Sequence, residues 1–228
     1  IIPFVKEGVK AAFQDAIERA GLRLPYYVTK STLESRRSMA TLSKKGVGPQ
    51  ITEGPLTEYK TSDTLFVLGS GSSITDITDT QWAHIDQMDT VGLNRWPVHE
   101  FTPTYHVFEL PLGHEDFVQK YWDLLNYRKE SYSGVPLILK DASRVRDVLD
   151  PDRLPEWLAG DLIVSSDSSF YPAVTLQSTK PENDHLLRYL DSKGYFDLGQ
   201  ITALYRLRGS ISYLIHLGTV LGSDTIVL

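Results

Sequence analysis

Thr64-Leu65-Phe66-Val67-Leu68-Gly69-Ser70-Gly71-Ser72-Ser73 is an apolar run that ends on a loop of small residues. Its first five positions have strand composition, and an acidic, helix-opening segment follows from Ile74. An α/β protein presents a nucleotide or phosphate in this way, at the carboxyl end of a strand. Glycine lets a ligand approach the backbone closely, serine hydroxyls both donate and accept, and N–H groups at a helix start attract anions. Gly69, Ser70, Gly71, Ser72 and Ser73 are therefore the first candidate nucleotide contacts. The competing reading is a tight strand-to-helix turn with no ligand. The spacing is not G-x-G-x-x-G, because Ile74 stands where the third glycine would be, and no Lys follows as in a Walker loop. Asn94, not an acid, stands about 20 residues on, which disfavours a nicotinamide dinucleotide.

Working outward from this stretch, apolar runs alternate with helical patterns. Strands are expected at 64–68, Thr90–Leu93, Tyr105–Leu110, Pro136–Leu139, Asp161–Ser165 and Thr225–Leu228, and helices near 79–87, 114–129, 142–149, 183–193 and 209–222. Short apolar strands separated by helices predict an α/β fold: a mostly parallel, Rossmann-like sheet with helices on both faces. This domain is expected to occupy 63–228. Residues 1–62 are expected to form an N-terminal helix, over 4–20, and a basic linker or arm, over about 29–62. The linker reading rests on a Ser/Thr/Lys/Arg-rich composition containing Arg36-Arg37, Lys44-Lys45 and Gly46-Val47-Gly48-Pro49. Asp224-Thr225-Ile226-Val227-Leu228 reads as a buried central strand, so the domain is expected to continue past Leu228.

The 228 residues suit one large domain or one domain with an appendage, and 41% are hydrophobic, enough for a core. No run reaches the roughly 18–20 apolar residues of a membrane span, and no signal-peptide pattern opens the chain. There is no Cys, which excludes thiol catalysis and Cys-ligated zinc and fits a cytoplasmic setting. The net charge of −6 is uneven: residues 1–60 hold ten Lys/Arg against six Asp/Glu, which leaves about −10 on the remainder. Nucleic acid is thus not expected as a partner of the main body. The basic start is a candidate for peripheral contact with an anionic membrane or an acidic partner, although a solvated basic face is the simpler reading.

Three further places could carry chemistry. Asn94 follows Val91-Gly92-Leu93 at the ligand-binding edge of the sheet, where an amide could touch a base or sugar or close an Asx turn. Tyr105-His106-Val107-Phe108-Glu109 brings a carboxylate, Glu109, to the same edge, with His106 and Phe108 on one face and Val107 and Glu109 on the other. A lone His such as His106 is more often structural than catalytic. Arg208-Gly209-Ser210 opens an apolar helix; Ser210 suits an N-cap, and a helix start beside Arg208 also suits an anion. His114-Glu115-Asp116 and Asp167-Ser168-Ser169 read as a charged helix start and a polar loop. Neither H-E-x-x-H nor G-x-S-x-G is present.

Together these pieces resemble the bacterial sialyltransferases that use CMP-sialic acid. Val67-Leu68-Gly69-Ser70-Gly71-Ser72-Ser73 is similar to that family's opening strand and G-N-G-P-S loop. Leu93-Asn94 is similar to its second-strand ending, and Val107-Phe108-Glu109-Leu110-Pro111 to its third strand. Gly209-Ser210-Ile211, through Gly222-Ser223-Asp224, to Leu228 follows its late helix and strand. The resemblance covers 64–111 and 205–228. It departs in Ser70 and Ser72, which replace Asn and Pro. The family's G-x-D after the last strand and its downstream Tyr and His residues, the base included, have no counterpart. The same skeleton occurs in bacterial Kdo transferases and in pterin diphosphokinase-like proteins.

The resemblance implies a glycosyltransferase moving a sialic acid- or Kdo-type sugar from a CMP-sugar donor to a glycan acceptor. CMP would be held by the Gly69–Ser73 loop, Asn94, Gly209 and Ser210, with Arg208 near phosphate and Glu109 as the one nameable base. No cofactor or metal is expected beyond the donor. Two rivals stand beside it: an ATP- and Mg-dependent pterin diphosphokinase-like enzyme, for which Asp76, Asp79 and Asp86 are available, and a non-catalytic Rossmann module of a larger assembly.

Overall fold

A computed structural model of the chain describes residues 23–47, 56–110, 114–140, 149–159, 162–164, 167–169, 188, 192, 204–206 and 209–228. Six parallel strands form one sheet: β1 (Thr64–Leu68), β2 (Asp89–Leu93), β3 (Tyr105–Phe108), β4 (Leu137–Leu139), β5 (Leu162–Val164) and β8 (Thr225–Val227). Their order is β5-β4-β3-β2-β1-β8. β6 (Asp167–Ser169) and β7 (Leu204–Arg206) pair in a separate two-stranded parallel sheet. The helices are α1 (Arg23–Lys44), α2 (Asp79–Ile85), α3 (Glu115–Tyr127), α4 (Lys129–Tyr132), α5 (Glu156–Ala159) and α6 (Gly209–Val220). The fold is α/β and Rossmann-like, as the alternating pattern predicts.

Strand alternation divides the core. Leu65, Val91, Tyr105 and Val107 face α6, where Tyr213, Leu214, Leu217 and Val220 close over them. Phe108, Leu137 and Leu139 face the opposite side, packed with Tyr121, Trp122 and Leu125 of α3. Phe66 and Leu68 pack with Ile85 and Trp96. Right-handed crossovers place helices on one face while strands are added in one direction, and on the other once the direction reverses. The reversal here falls between β1 and β8, so the crevice of a doubly wound sheet opens at their carboxyl ends. Buried Asp89 anchors the approach to β1, accepting from the backbone N–H of Thr61 at 3.0 Å, the Thr61 hydroxyl at 2.8 Å and the N–H of Ser62 at 3.2 Å.

Three expectations are corrected. The expected linker is largely α1, because no Pro or Gly interrupts residues 26–45 and Pro25 falls in the first turn, which needs no N–H. α1 ends in a Schellman turn: Val47 N–H donates to Leu42 carbonyl at 3.1 Å, Gly46 N–H donates to Ser43 carbonyl at 3.0 Å, and Gly46 has φ +72°. Leu42 and Val47 are both buried in the core below. Second, Asp167-Ser168-Ser169 is a strand, not a loop; its pairing with β7, far off in sequence, overrides its polar composition. Third, β8 is half-buried and pairs only with β1 among the described residues, so it is an edge strand there and not a central one. The expected helix over 4–20 lies outside the described residues. So do those over 142–149 and 183–193, apart from Leu149, Arg188 and Ser192.

Candidate functional site

Gly69–Ser73 leave β1 at the reversal point, and Ser70–Ser73 are exposed. The helix expected near 79–87 is present, but the chain does not enter it directly from the loop. It makes a 3-10 helix over Ser72–Asp76, and α2 begins at Asp79 behind a Thr78 capping box with Gln81. That capping pair fixes the later helix start and frees the loop from being its N-terminus. The first-turn N–H groups of Ser72 and Ser73 have no acceptor within so short a helix. A Cβ added at Gly69 would meet nothing within 4 Å, and one at Gly71 only the Ser73 hydroxyl at 3.7 Å. Gly71 has φ −72°, open to any residue. The fold itself therefore does not require glycine at either place. The loop borders a cleft of about 790 Å³, walled by Phe66, Leu68, Ile77, His84, Ile211 and Val227 among others.

A second group of residues stands at the carboxyl ends of β3 and β4. Lys140 follows β4 directly, and its backbone N–H donates to Phe108 carbonyl at 3.0 Å. Its fully buried ammonium pairs with Glu109 Oε1 and donates to Ser210 Oγ at 2.7 Å; Ser210 Oγ in turn donates to Glu109 Oε1 at 3.2 Å. The ammonium also lies 5.6 Å from the Tyr213 ring centroid. Glu109 keeps 30% of its side chain exposed, so this ion pair opens towards solvent on the carboxylate side. α6 begins at Gly209, which puts Ser210 in the first turn, bound to Lys140 and Glu109. The same turn carries Ile211 into the cleft wall, so it borders both features.

Asn94 links β2 to this group. It adopts φ 54°, a left-handed conformation that Asn tolerates better than most residues. Its N–H donates to Val107 carbonyl at 2.8 Å, and its Oδ1 accepts from Glu109 N–H at 3.1 Å. The Asn94 amide oxygen thus positions Glu109 across the sheet and does not close the local Asx turn before Arg95-Trp96-Pro97. Behind it the Tyr121 hydroxyl donates to Asn94 carbonyl at 3.2 Å and lies 2.6 Å from His106 Nε2.

His106 is fully buried and serves this structural chain. Burial pushes its pKa down from 6.5 to about 3. The imidazole is thus neutral in the folded protein, while the unfolded chain takes up its proton below pH 6.5. The stability tied to neutral His106 is complete above about pH 6.5 and is lost as pH falls towards 3. The expected slope is about 1.4 kcal/mol per pH unit, or about 2 kcal/mol by pH 5. Urea unfolding at pH 7 and pH 5 checks this; His106→Phe should be less stable at pH 7 but flatter between the two.

Of the expected nucleotide contacts, Gly69, Gly71 and Ser73 line the cleft, with Ser70 and Ser72 exposed beside it, while Asn94, Glu109 and Ser210 gather one to three strands away. Gly209 opens α6, and Arg208 lies outside the described residues. Lys140 was not anticipated, although its signal is plain: a cation directly after the apolar run Leu137-Ile138-Leu139, the position that made Asn94 and Glu109 candidates. His84 carries no such signal, because its place depends on the face α2 turns inward. Among the described residues no group of three or more His, Asp or Glu could hold a metal ion, and no helix is long and apolar enough to cross a membrane. Comparison of the chain with models of known families, with curated proteins and with solved structures finds no match.

Proposed function

We propose that this chain is a glycosyltransferase that takes a 2-keto sugar acid from a CMP-activated donor and passes it to a glycan hydroxyl. The observation that carries the reading is the Gly69–Ser73 loop: small, exposed, set at the strand-order reversal of a parallel sheet, and glycine-bearing where the fold does not ask for glycine. Unneeded glycines at such an edge leave room for a ligand against the backbone. The adjoining cleft is large enough for a nucleoside, and its apolar wall suits a base and ribose.

In the transfer the acceptor oxygen bonds to the anomeric carbon, the bond from that carbon to the CMP phosphate breaks, and the acceptor proton goes to a base. The transition state is oxocarbenium-like, with negative charge growing on the leaving phosphate. In this reading the N–H groups of Ser72 and Ser73 and the first turn of α6 receive that charge. Glu109 is the candidate base, held in orientation by Lys140, Ser210 and Asn94.

Calorimetric titration of the purified chain with CMP, and separately with ATP and Mg²⁺, tests the reading. CMP should bind, and Gly71→Val should weaken it at least about tenfold, by roughly 1.4 kcal/mol, at unchanged thermal stability. The added Cβ would meet only the Ser73 hydroxyl, at an ordinary contact distance of 3.7 Å, so the substitution is expected to obstruct a ligand and not the fold. Magnesium-dependent ATP binding with no response to CMP would contradict the proposal.

A further inference from the structure

A second cavity, of about 460 Å³, lies beside the carboxyl ends of β2 and β3, with Arg95, Phe117 and Lys120 on its rim and Asn94 and Glu109 inside it. Among the described residues it shares no lining residue with the Gly69–Ser73 cleft. Its rim has an unusual charge arrangement. The Arg95 guanidinium lies 5.8 Å, and the Lys120 ammonium 5.5 Å, from the centroid of one exposed aromatic ring, Phe117.

Among the described residues neither cation has an acidic partner. Asp116, one turn before Lys120 on α3, does not pair with it; Glu115 pairs with Arg153 instead, and Glu109 is engaged by Lys140 and Ser210. Two cations beside one ring and without an acidic partner among the described residues offer charged donors to a bound anion. Inside the cavity, Asn94 commits Oδ1 to Glu109 N–H, while its amide N–H groups donate to nothing among the described residues. The Glu109 carboxylate supplies acceptor oxygens beside them.

These are the components a charged sugar ring needs. Phe117 and the exposed Val98 offer an apolar surface to ring C–H groups. Glu109 and Asn94 accept from and donate to hydroxyls, and Arg95 and Lys120 meet a carboxylate or phosphate. We infer that this cavity is a binding site for an anionic sugar. The inference rests on the transferase reading only in taking that sugar to be the acceptor end of the glycan.

The test is titration of the full chain with methyl β-glucuronide, methyl β-glucoside and glucose 6-phosphate at low and physiological salt. The glucuronide should bind at least about tenfold more tightly than the glucoside and weaken with salt. Arg95→Gln and Lys120→Gln, both at exposed positions, should each cut glucuronide affinity severalfold, while Lys129→Gln, which makes the same charge change on exposed α4, should not. Glucose 6-phosphate separates the two anions: binding of either charged sugar with loss in both variants supports the site. Binding of both charged sugars no tighter than the glucoside, no binding of either charged sugar, or affinity indifferent to both variants would overturn it. Glucuronide binding that persists in a chain with no CMP affinity would sink the transferase reading and leave this site standing. CMP binding without binding of a charged sugar would do the reverse.

Discussion

Glu109→Gln is expected to destabilise the folded chain by about 3 kcal/mol, whereas Lys140→Met should cost about 1 kcal/mol or less. The asymmetry follows from burial. Removing the carboxylate charge leaves the fully buried Lys140 ammonium with no counter-charge among the described residues, beside the Ser210 hydroxyl, the Tyr213 ring and a neutral amide. Removing the ammonium leaves Glu109, already 30% exposed, able to turn towards water. Met fills the volume of the Lys stem without its charge, so Glu109→Gln combined with Lys140→Met should recover most of the loss. Urea unfolding of the two single variants and the double variant checks this. Equal losses from both single variants would mean that the pair is solvated on both sides.

Gly92→Ala is the other large effect, expected at about 3 kcal/mol of destabilisation. A Cβ at Gly92 would lie 2.6 Å from Trp96 Cδ1, 2.7 Å from Trp96 Cγ and 3.0 Å from Pro103 Cγ. The indole cannot easily retreat. It is 2% exposed, its Nε1–H donates to Phe101 carbonyl at 2.9 Å, and His99 stacks on it at 4.8 Å. The Arg128 guanidinium then holds the loop around it, donating to the carbonyls of Pro97, His99 and Glu100. Thermal unfolding measures the loss. Gly92→Ala with an unchanged melting temperature would show that the aromatic cluster of Trp82, Trp96, His99 and Phe101 yields more readily than its contacts imply. The contrast with Gly71 is instructive, because two glycines at one sheet edge are held to glycine by different things. The protein's own packing restricts Gly92, and only a ligand could restrict Gly71.

The parallel sheet was legible because its strands are short apolar runs of the right length, each punctuated by a turn residue, and burial on both faces needs no more than that. Helices α2 and α6 were legible as helical patterns between apolar strands, α6 through its largely apolar composition; the Thr78–Gln81 cap that sets the start of α2 was not read from the sequence. Helix α1 was misread because its Ser, Thr, Lys and Arg look like linker. The absence of any breaker between Pro25 and Gly46, and a Leu42–Val47 closure five residues apart, outweighed composition. β6 was illegible because three polar residues become a strand only when a partner more than thirty positions away, β7, comes alongside. At the site, strand ends flagged Asn94 and Glu109. The ion pair that fixes Glu109 needed the spatial neighbourhood of β3, β4 and α6, which no local spacing encodes. The same is true of Arg95 and Lys120, which meet at Phe117 only after β2 and α3 have packed.

The central claim is that the Gly69–Ser73 cleft handles a CMP-activated sugar, and release of CMP from CMP-sialic acid by the purified chain tests it most directly. The account expects slow CMP release by the native sequence, and its loss in Gly71→Val at unchanged melting temperature. No release and no CMP affinity in the native sequence, or release unaffected by Gly71→Val, would contradict it.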